Sequence, residues 1–369
     1  MIRILQMIGT LNLGGSQTMI MNLYRKIDRE RLQFDFMLSH PDHLYFADEV
    51  KSLGGRIYTT PNFNGRNALA VRRAWDEFFT AHPEYRVMHV HQTSYASIFV
   101  PVAKKHGVKV ITHAHNTSSG SGALGVYKDA LQLPLRRQAD VLMSCSTEAG
   151  LWLYGKQGVQ RENYVFLPNA IDLDRFARNN ALREKVRAEL GIGDKLVVGH
   201  VGRFDEQKNH TFLMDIFAKL REKRSDAVLL LVGDGTLRSE TERKAAALGI
   251  QDAVIFAGIR SDVPQLMQAM DVFAFPSLWE GLPVTLVEAQ AAGLPCIIAD
   301  TISPDADISP LVRRLPIDSA ELWAEELAKE HEKQDVTAYL AGAGFDIRSS
   351  AEKITKIYTE LAGEKDDGR

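Results

Sequence analysis

Short apolar runs alternate with amphipathic segments along almost the whole chain, and that rhythm leaves few folds open. It begins with Ile2 to Ile8, a glycine loop and a helix from about Ser16 to Ile27, then Gln33 to Leu38 and Ala47 to Leu53. It continues through Arg56 to Thr59, a helix near Ala68 to Thr80, Val87 to His91, a helix over Ala96 to Lys105 and Val108 to His113. A helix near Val126 to Ala139, Val141 to Ser144, a helix near Glu148 to Tyr154, and Tyr164 to Leu167 complete the series. Strands and helices interleaved in this way predict an open, mainly parallel sheet with helices on both faces.

Pro168-Asn169-Ala170-Ile171-Asp172 breaks the rhythm, since Pro, Asn and Asp cluster there between two periodic stretches. A second series starts at Lys195 with LVVGHVG, a helix Thr211 to Arg221, VLLLVG, a helix Arg238 to Leu248 and AVIFAG. A helix Val263 to Met270, VFAFP, a helix Thr285 to Ala292 and PCIIAD follow. Two doubly wound, Rossmann-like domains are therefore expected, 1–172 and 173–346, and 369 residues are too many for one ordinary core. Helices near Ser319 to Glu332 and Ile347 to Leu361 come last, the final one (about 347–362) expected to pack back on the first domain, before a polar GEKDDGR tail.

Ligands of such sheets bind outside the carboxyl ends of the strands, so two facing domains would hold a ligand in the cleft between them. Charge is uneven: the stretch to Asp172 is mildly basic and the remainder acidic, which points an anionic partner or a membrane surface toward the first domain. An acidic chain without a basic-aromatic stripe argues against nucleic acid. Cys145 and Cys296 each sit in an apolar strand and read as core residues in a reducing cytoplasm. No apolar run approaches the roughly 18 residues of a membrane span, and no signal peptide opens the chain.

Within FPSLWEGLPVTLVEAQAAGLP, Glu280 lies in the loop before a helix and Glu288 inside the helix, with Pro283 at the expected first helical residue. Backbone N–H groups at the helix start favour an anion, and Glu288 can accept hydrogen bonds from sugar or ribose hydroxyls. Gly202-Arg203-Phe204-Asp205-Glu206-Gln207-Lys208 follows the first strand of the second series, so Arg203 and Lys208 are expected to converge on a diphosphate. Gly14 and Gly15 open the first helix, but the dinucleotide fingerprint G-x-G-x-x-G is missing there, and after Gly233-Asp234-Gly235 Arg238 replaces its third glycine. His89, His91, His113 and His115 alternate on two strands; same-face spacing alone makes no metal site, and only His115 falls beyond a strand end, in the cleft. The triplets Asp172-Leu173-Asp174 and Asp305-Ala306-Asp307 read as turns, so no metal is expected.

Together LNLGGSQTMIMNLYR, ITHAHNTS, LPNAIDLDRF, HVGRFDEQKNH, LVGDGTLR and the Glu280–Glu288 stretch resemble the retaining glycosyltransferases of family four, of the GT-B fold. Along essentially the whole chain the similarity is to bacterial exopolysaccharide and capsule glycosyltransferases of the EpsF type. The resemblance implies that Arg203 and Lys208 hold the donor diphosphate, Glu288 the ribose, and Glu280 the donor sugar, with Gly281, Leu282 and Pro283 around it. Gly14 and Gly15 match a loop closing over the donor, His115 (or His113) a histidine beside the reacting sugar, and Ile259 and Arg260 a contact to the base. It also implies a nucleotide-sugar donor, a UDP-sugar in this reading, bound by the second domain, and a saccharide or lipid-linked saccharide acceptor bound by the first. No cofactor is implied, and the site is expected at the cytoplasmic face of a membrane touched peripherally. A sugar-nucleotide epimerase on the same fold and a non-catalytic scaffold are the alternative readings.

Overall fold

Seven strands build the first sheet: β1 (Ile2–Ile8), β2 (Leu32–Leu38), β3 (Ile57–Thr59), β4 (Val87–Val90), β5 (Lys109–Ala114), β6 (Val141–Ser144) and β7 (Tyr164–Phe166). Their order is β3-β2-β1-β4-β5-β6-β7, with every neighbouring pair parallel. The second sheet holds β8 (Val197–Val201), β9 (Val228–Val232), β10 (Val254–Gly258), β11 (Val272–Phe275), β12 (Cys296–Ala299) and β13 (Val312–Leu315). It runs β10-β9-β8-β11-β12-β13, again wholly parallel. These positions come from a computed structural model that describes residues 1–364 apart from Leu13, His43 and Ser121. Leu13 of the glycine loop and the end of the polar tail, 365–369, thus lie outside the described residues.

Parallel strands covered on both faces are buried throughout, which explains their continuous apolar runs: β2, β4, β9, β11 and β12 have no exposed or half-exposed residue. The chain divides into two units, Met1–Ala170 together with the stretch from Ile347 onward, and Ile171–Asp346. The two crossings lie side by side, for Ile171 N–H donates to Phe345 O at 3.0 Å and Ile171 bridges Asp346.

The helix Ile347–Leu361 belongs to the first unit because its apolar residues recur at i+4, i+3 and i+4. Ile347, Ala351, Ile354 and Tyr358 are buried in one cluster with residues of β1, β2 and the helix Gly15–Lys26. Burial at roughly 1.5–3 kcal/mol per large apolar side chain makes this terminal helix part of the first core.

Three elements escape the periodicity. The helix Asn180–Glu189, capped by Asn179 accepting from Leu182 N–H, is charged at five of its ten residues. Edge strand β13 carries Arg313 and Arg314, and Thr337–Gly342 is only six residues long. The single helix expected over Val126 to Ala139 is instead two, Gly122–Gln132 and Leu135–Gln138, separated at Pro134, which has no N–H to continue the first.

Candidate active site

Strand order reverses between β8 and β11 in the second sheet, so the loops leaving those two neighbouring strands diverge and leave a crevice at their carboxyl ends. The loops are tied to one another. Leu278 N–H donates to Gln207 O at 2.8 Å, Gln207 Nε2 to Trp279 O at 2.9 Å, and Asn209 Nδ2 to Pro276 O at 3.2 Å. Asn209 turns the chain into the helix His210–Lys223 with φ of 54°, a left-handed conformation that Asn tolerates better than most side chains. Gly233 at the end of β9 allows a close approach: a Cβ there would stand 2.0 Å from Gly202 O.

Lys208 and Glu280 are what this frame positions. Lys208 Nζ lies 2.5 Å from Glu280 Oε1 and 4.6 Å from the Phe275 ring centre, and the two side chains are only 14% and 10% exposed. Glu280 is fixed in turn by a bridge to Ile302 and by Ser303 N–H donating to its carbonyl at 3.3 Å. Arg203 stands in a different environment: its side chain is 72% exposed and its Nε lies 4.0 Å from Asp205. The reason is local, because Phe204 is buried and its neighbour is thereby turned to solvent.

Pro283 is the N-cap residue of the helix Val284–Ala291 rather than its first helical residue, with ψ of 119°. Gly281 and Leu282 are half-buried beside it. Glu288 sits inside that helix, where burial pushes its carboxyl up to about 7 against the opposing pull of Arg175. Ile259 is 75% exposed after β10, and Arg260 is engaged with Asp262 at 2.6 Å. Arg175, in the short turn Leu173–Arg175, and Trp279, 52% exposed beside Glu280, were not singled out from the sequence. Their signals were a charge just past the interdomain loop and a tryptophan in a polar turn.

In the first unit the reversal falls between β1 and β4. Gly14 caps the helix Gly15–Lys26, and the space around a Cβ on Gly15 is open. The four histidines pack and hydrogen-bond with one another in one stack. Ring centres are 4.1 Å apart for His89 and His91, 5.2 Å for His89 and His113, and 4.1 Å for His113 and His115. His91 Nδ1 meets His115 Nε2 at 2.8 Å, His91 Nε2 meets Gln6 Oε1 at 2.9 Å, and His89 Nδ1 meets the Tyr358 hydroxyl at 2.7 Å.

Ligand-capable nitrogens of His89, His91 and His113 come within 4.8 Å of one another. A metal needs lone pairs that converge, whereas His89 and His113 lie 12° from parallel and both His91 nitrogens are already bonded. Burial lowers all four, His115 to about 3, which keeps the stack neutral. His113 is fully buried in β5, while His115 follows its end and is half-buried. Of the basic pair beyond the helix Gly122–Gln132, Arg136 is spent on Leu153 O at 2.8 Å and Arg137 is exposed.

The sequence matches the family described as "Glycosyltransferase Family 4" over residues 13–175 and that described as "Glycosyl transferases group 1" over 183–334. It is 37% identical over 381 aligned positions, covering 100% of this chain and 98% of the relative, to the protein named putative glycosyltransferase EpsF of Bacillus subtilis. Over 59% of the chain it is 28% identical to 58% of an Escherichia coli α-1,3-galactosyltransferase that acts with UDP-Gal on GlcNAc-diphosphoundecaprenol. Among solved structures, Anabaena HepE in complex with UDP superposes with a TM-score of 0.73 at 18% identity, covering 98% of each chain. WaaG, a glycosyltransferase of lipopolysaccharide biosynthesis, superposes with a TM-score of 0.67 at 17% identity over 98% of this chain and 97% of its own. Two Rossmann-like units, both family matches and full-length identity to the Bacillus protein agree: the chain is a glycosyltransferase of the GT-B fold and belongs to the family of the EpsF-type enzymes.

Proposed function

We propose that this enzyme transfers a sugar from a UDP-sugar to a saccharide or lipid-linked saccharide acceptor during exopolysaccharide or capsule assembly, with retention at the anomeric carbon and without a metal. The observation that carries the reading is the enclosed Lys208–Glu280 pair at the switch point of the second sheet. UDP and UDP-glucose in the HepE structures, and UDP-Gal as donor of the E. coli relative, support the choice of nucleotide.

In the reaction the bond from the sugar C1 to the β-phosphate oxygen breaks, and its electron pair leaves with UDP. The acceptor hydroxyl oxygen forms the new bond to C1 on the same face, and its proton passes to the departing phosphate. Charge thus grows on the diphosphate, where Lys208 and the exposed guanidinium of Arg203 stabilise it more than the ground state. Glu280 accepts hydrogen bonds from hydroxyls of the donor sugar, beside the backbone of Gly281, Leu282 and Pro283; Glu288 accepts them from the ribose hydroxyls. Ile259 and Arg260 border the base, Gly14 and Gly15 allow backbone close to the donor, and His115 orients the reacting sugar.

Among the described residues no helix is long and apolar enough to cross a membrane. Contact with the cytoplasmic face of a bilayer is proposed through exposed Val126, Leu133 and Arg137, an apolar and cationic combination suited to anionic lipid. The whole reading is tested by incubating the enzyme with UDP-glucose, UDP-galactose and UDP-N-acetylglucosamine in excess EDTA, following UDP release and the anomer of the freed sugar by NMR. Release from at least one donor, first as the α-anomer, is the expected result. No UDP binding by the intact enzyme would overturn it, and activity restored only by added metal would refute the metal-free mechanism.

A further inference from the structure

A cavity of about 410 Å³ opens in the second unit at the amino ends of β8 and β11, bounded by Lys195 and Leu196 just before one strand and Asp271 just before the other. This is the end of the sheet opposite the crevice that holds Lys208 and Glu280. Arg183 and Arg187 line it from the helix Asn180–Glu189, four residues apart and so on one face, a spacing at which like charges repel. One carboxylate answers both: Arg183 Nη2 lies 2.5 Å from Asp271 Oδ1, and Arg187 Nη1 lies 3.3 Å from its Oδ2. Lys333 Nζ joins them, donating to Gln268 O at 3.0 Å, the same oxygen that accepts from Arg183 Nη1 at 2.9 Å. Three cations are thus fixed around a single carboxylate.

Carbonyls at the end of the helix Val263–Ala269 offset part of that charge, for Gln268, Ala269 and Met270 all accept from the two guanidinium groups. They do not cancel it. Burial and, next, the Arg183 guanidinium push the Lys333 ammonium down to about 7, with Asp271 pulling the other way, so the lysine stands in surroundings that disfavour its own charge. Arg187 is only 7% exposed, which keeps water from screening the group. The rest of the lining brings little relief: Arg224 is matched by Asp226 at 2.9 Å and Lys329 by Glu326 at 2.6 Å, while Asp194 and Glu330 are exposed and screened by solvent. Lys195, also exposed, lines the cavity and makes no ion pair among the described residues. A carboxylate ligand would be satisfied by one guanidinium, whereas a tetrahedral dianion has acceptors on every side and two charges to share among separate cations. The volume leaves room beside it for a small organic group.

We infer that this cavity binds a phosphate dianion, free or as the monoester of a small molecule, between Arg183, Lys333 and Lys195, and does so independently of the crevice at the other end of the sheet. The test is calorimetric titration of the full-length enzyme with inorganic phosphate and with glucose 6-phosphate, each with and without saturating UDP, in wild type, Lys195→Ala and Lys333→Met. At least one probe is expected to bind, with an affinity that UDP changes less than twofold and that falls fivefold or more in each variant. Tighter binding of glucose 6-phosphate identifies an ester as the ligand, and tighter binding of phosphate the free anion. Lys195 is exposed, so its replacement leaves the fold intact. Lys333→Met removes a like charge from beside Arg183, and in phosphate-free buffer its melting temperature should equal or exceed that of wild type. Failure of both probes to bind, their displacement by UDP, or an affinity unchanged in either variant overturns the inference. Phosphate binding by a protein that does not bind UDP keeps this site and sinks the transferase reading instead.

Discussion

Lys208 and Glu280 are 72 positions apart in sequence, follow adjacent strands of the second sheet, and meet at 2.5 Å. Each is the other's partner in a place with little water, so removing either leaves a charge enclosed without compensation. If Lys208 stabilises the leaving diphosphate, Lys208→Ala is expected to lower kcat roughly 100–1,000-fold, the range for deleting one preorganised donor. Glu280→Gln, which keeps the shape, should leave UDP affinity nearly unchanged and depress turnover. Full transfer activity in either variant, measured by UDP release, removes this pair from the mechanism.

Arg203 differs from Lys208 in exposure, and the two should separate experimentally. With its side chain largely in solvent, Arg203→Ala is expected to change unfolding free energy by no more than about 0.5 kcal/mol. Its contribution to donor binding should weaken as salt rises, as for any exposed charge. Calorimetry with UDP at low and high ionic strength reads this; a salt dependence identical in wild type and variant would show that Arg203 does not touch the diphosphate.

His113 is fully buried, and neither ring nitrogen has a partner at normal hydrogen-bond geometry among the described residues, although the Leu167 backbone stands close by. Replacing an unsatisfied buried polar ring by an apolar one of similar shape recovers its desolvation cost, about 1–3 kcal/mol. His113→Phe should therefore be neutral or stabilising above pH 7. The stack's lowered pKa values give the sign on the acid side: unfolded histidines bind protons below about 6.5 while the buried ones do not, so stability is lost as pH falls from there. The variant should lose less. Thermal melts from pH 8 to pH 4 decide it, and a variant that is destabilised at pH 8 would mean the ring has a partner.

How much was legible beforehand follows from what each signal depends on. Buried parallel strands such as β9 and β12 declare themselves because both faces are covered and every residue is apolar. Edge strand β13 did not, since Arg313 and Arg314 are tolerated only where one side of the strand is open. Glu280 and Lys208 were visible as loop residues after strands, but their contact depends on β8 and β11 being neighbours, a matter of strand order rather than local pattern. The divergent fates of Arg203 and Lys208 turn on the burial of Phe204, and the histidine stack on β4 and β5 pairing in register. Neither packing nor register is encoded in spacing alone.

Glu288 supplies a prediction in which sign matters. Burial raises its carboxyl from 4.5 to about 7, so the folded state favours the protonated form. Its stabilising contribution is complete below the unfolded value and disappears as pH rises through about 7, because the fold binds a proton there that the unfolded chain has released. Glu288→Gln cannot lose that proton, so its melting temperature relative to wild type should climb by a few degrees between pH 4.5 and pH 8. Holding a ribose calls for the ionised, accepting form, so wild-type UDP affinity should rise across the same interval while that of Glu288→Gln changes less. Calorimetry of both proteins at pH 6 and pH 8 separates these effects: parallel changes in UDP affinity would place the ribose away from Glu288, and a melting difference independent of pH would place its carboxyl in water.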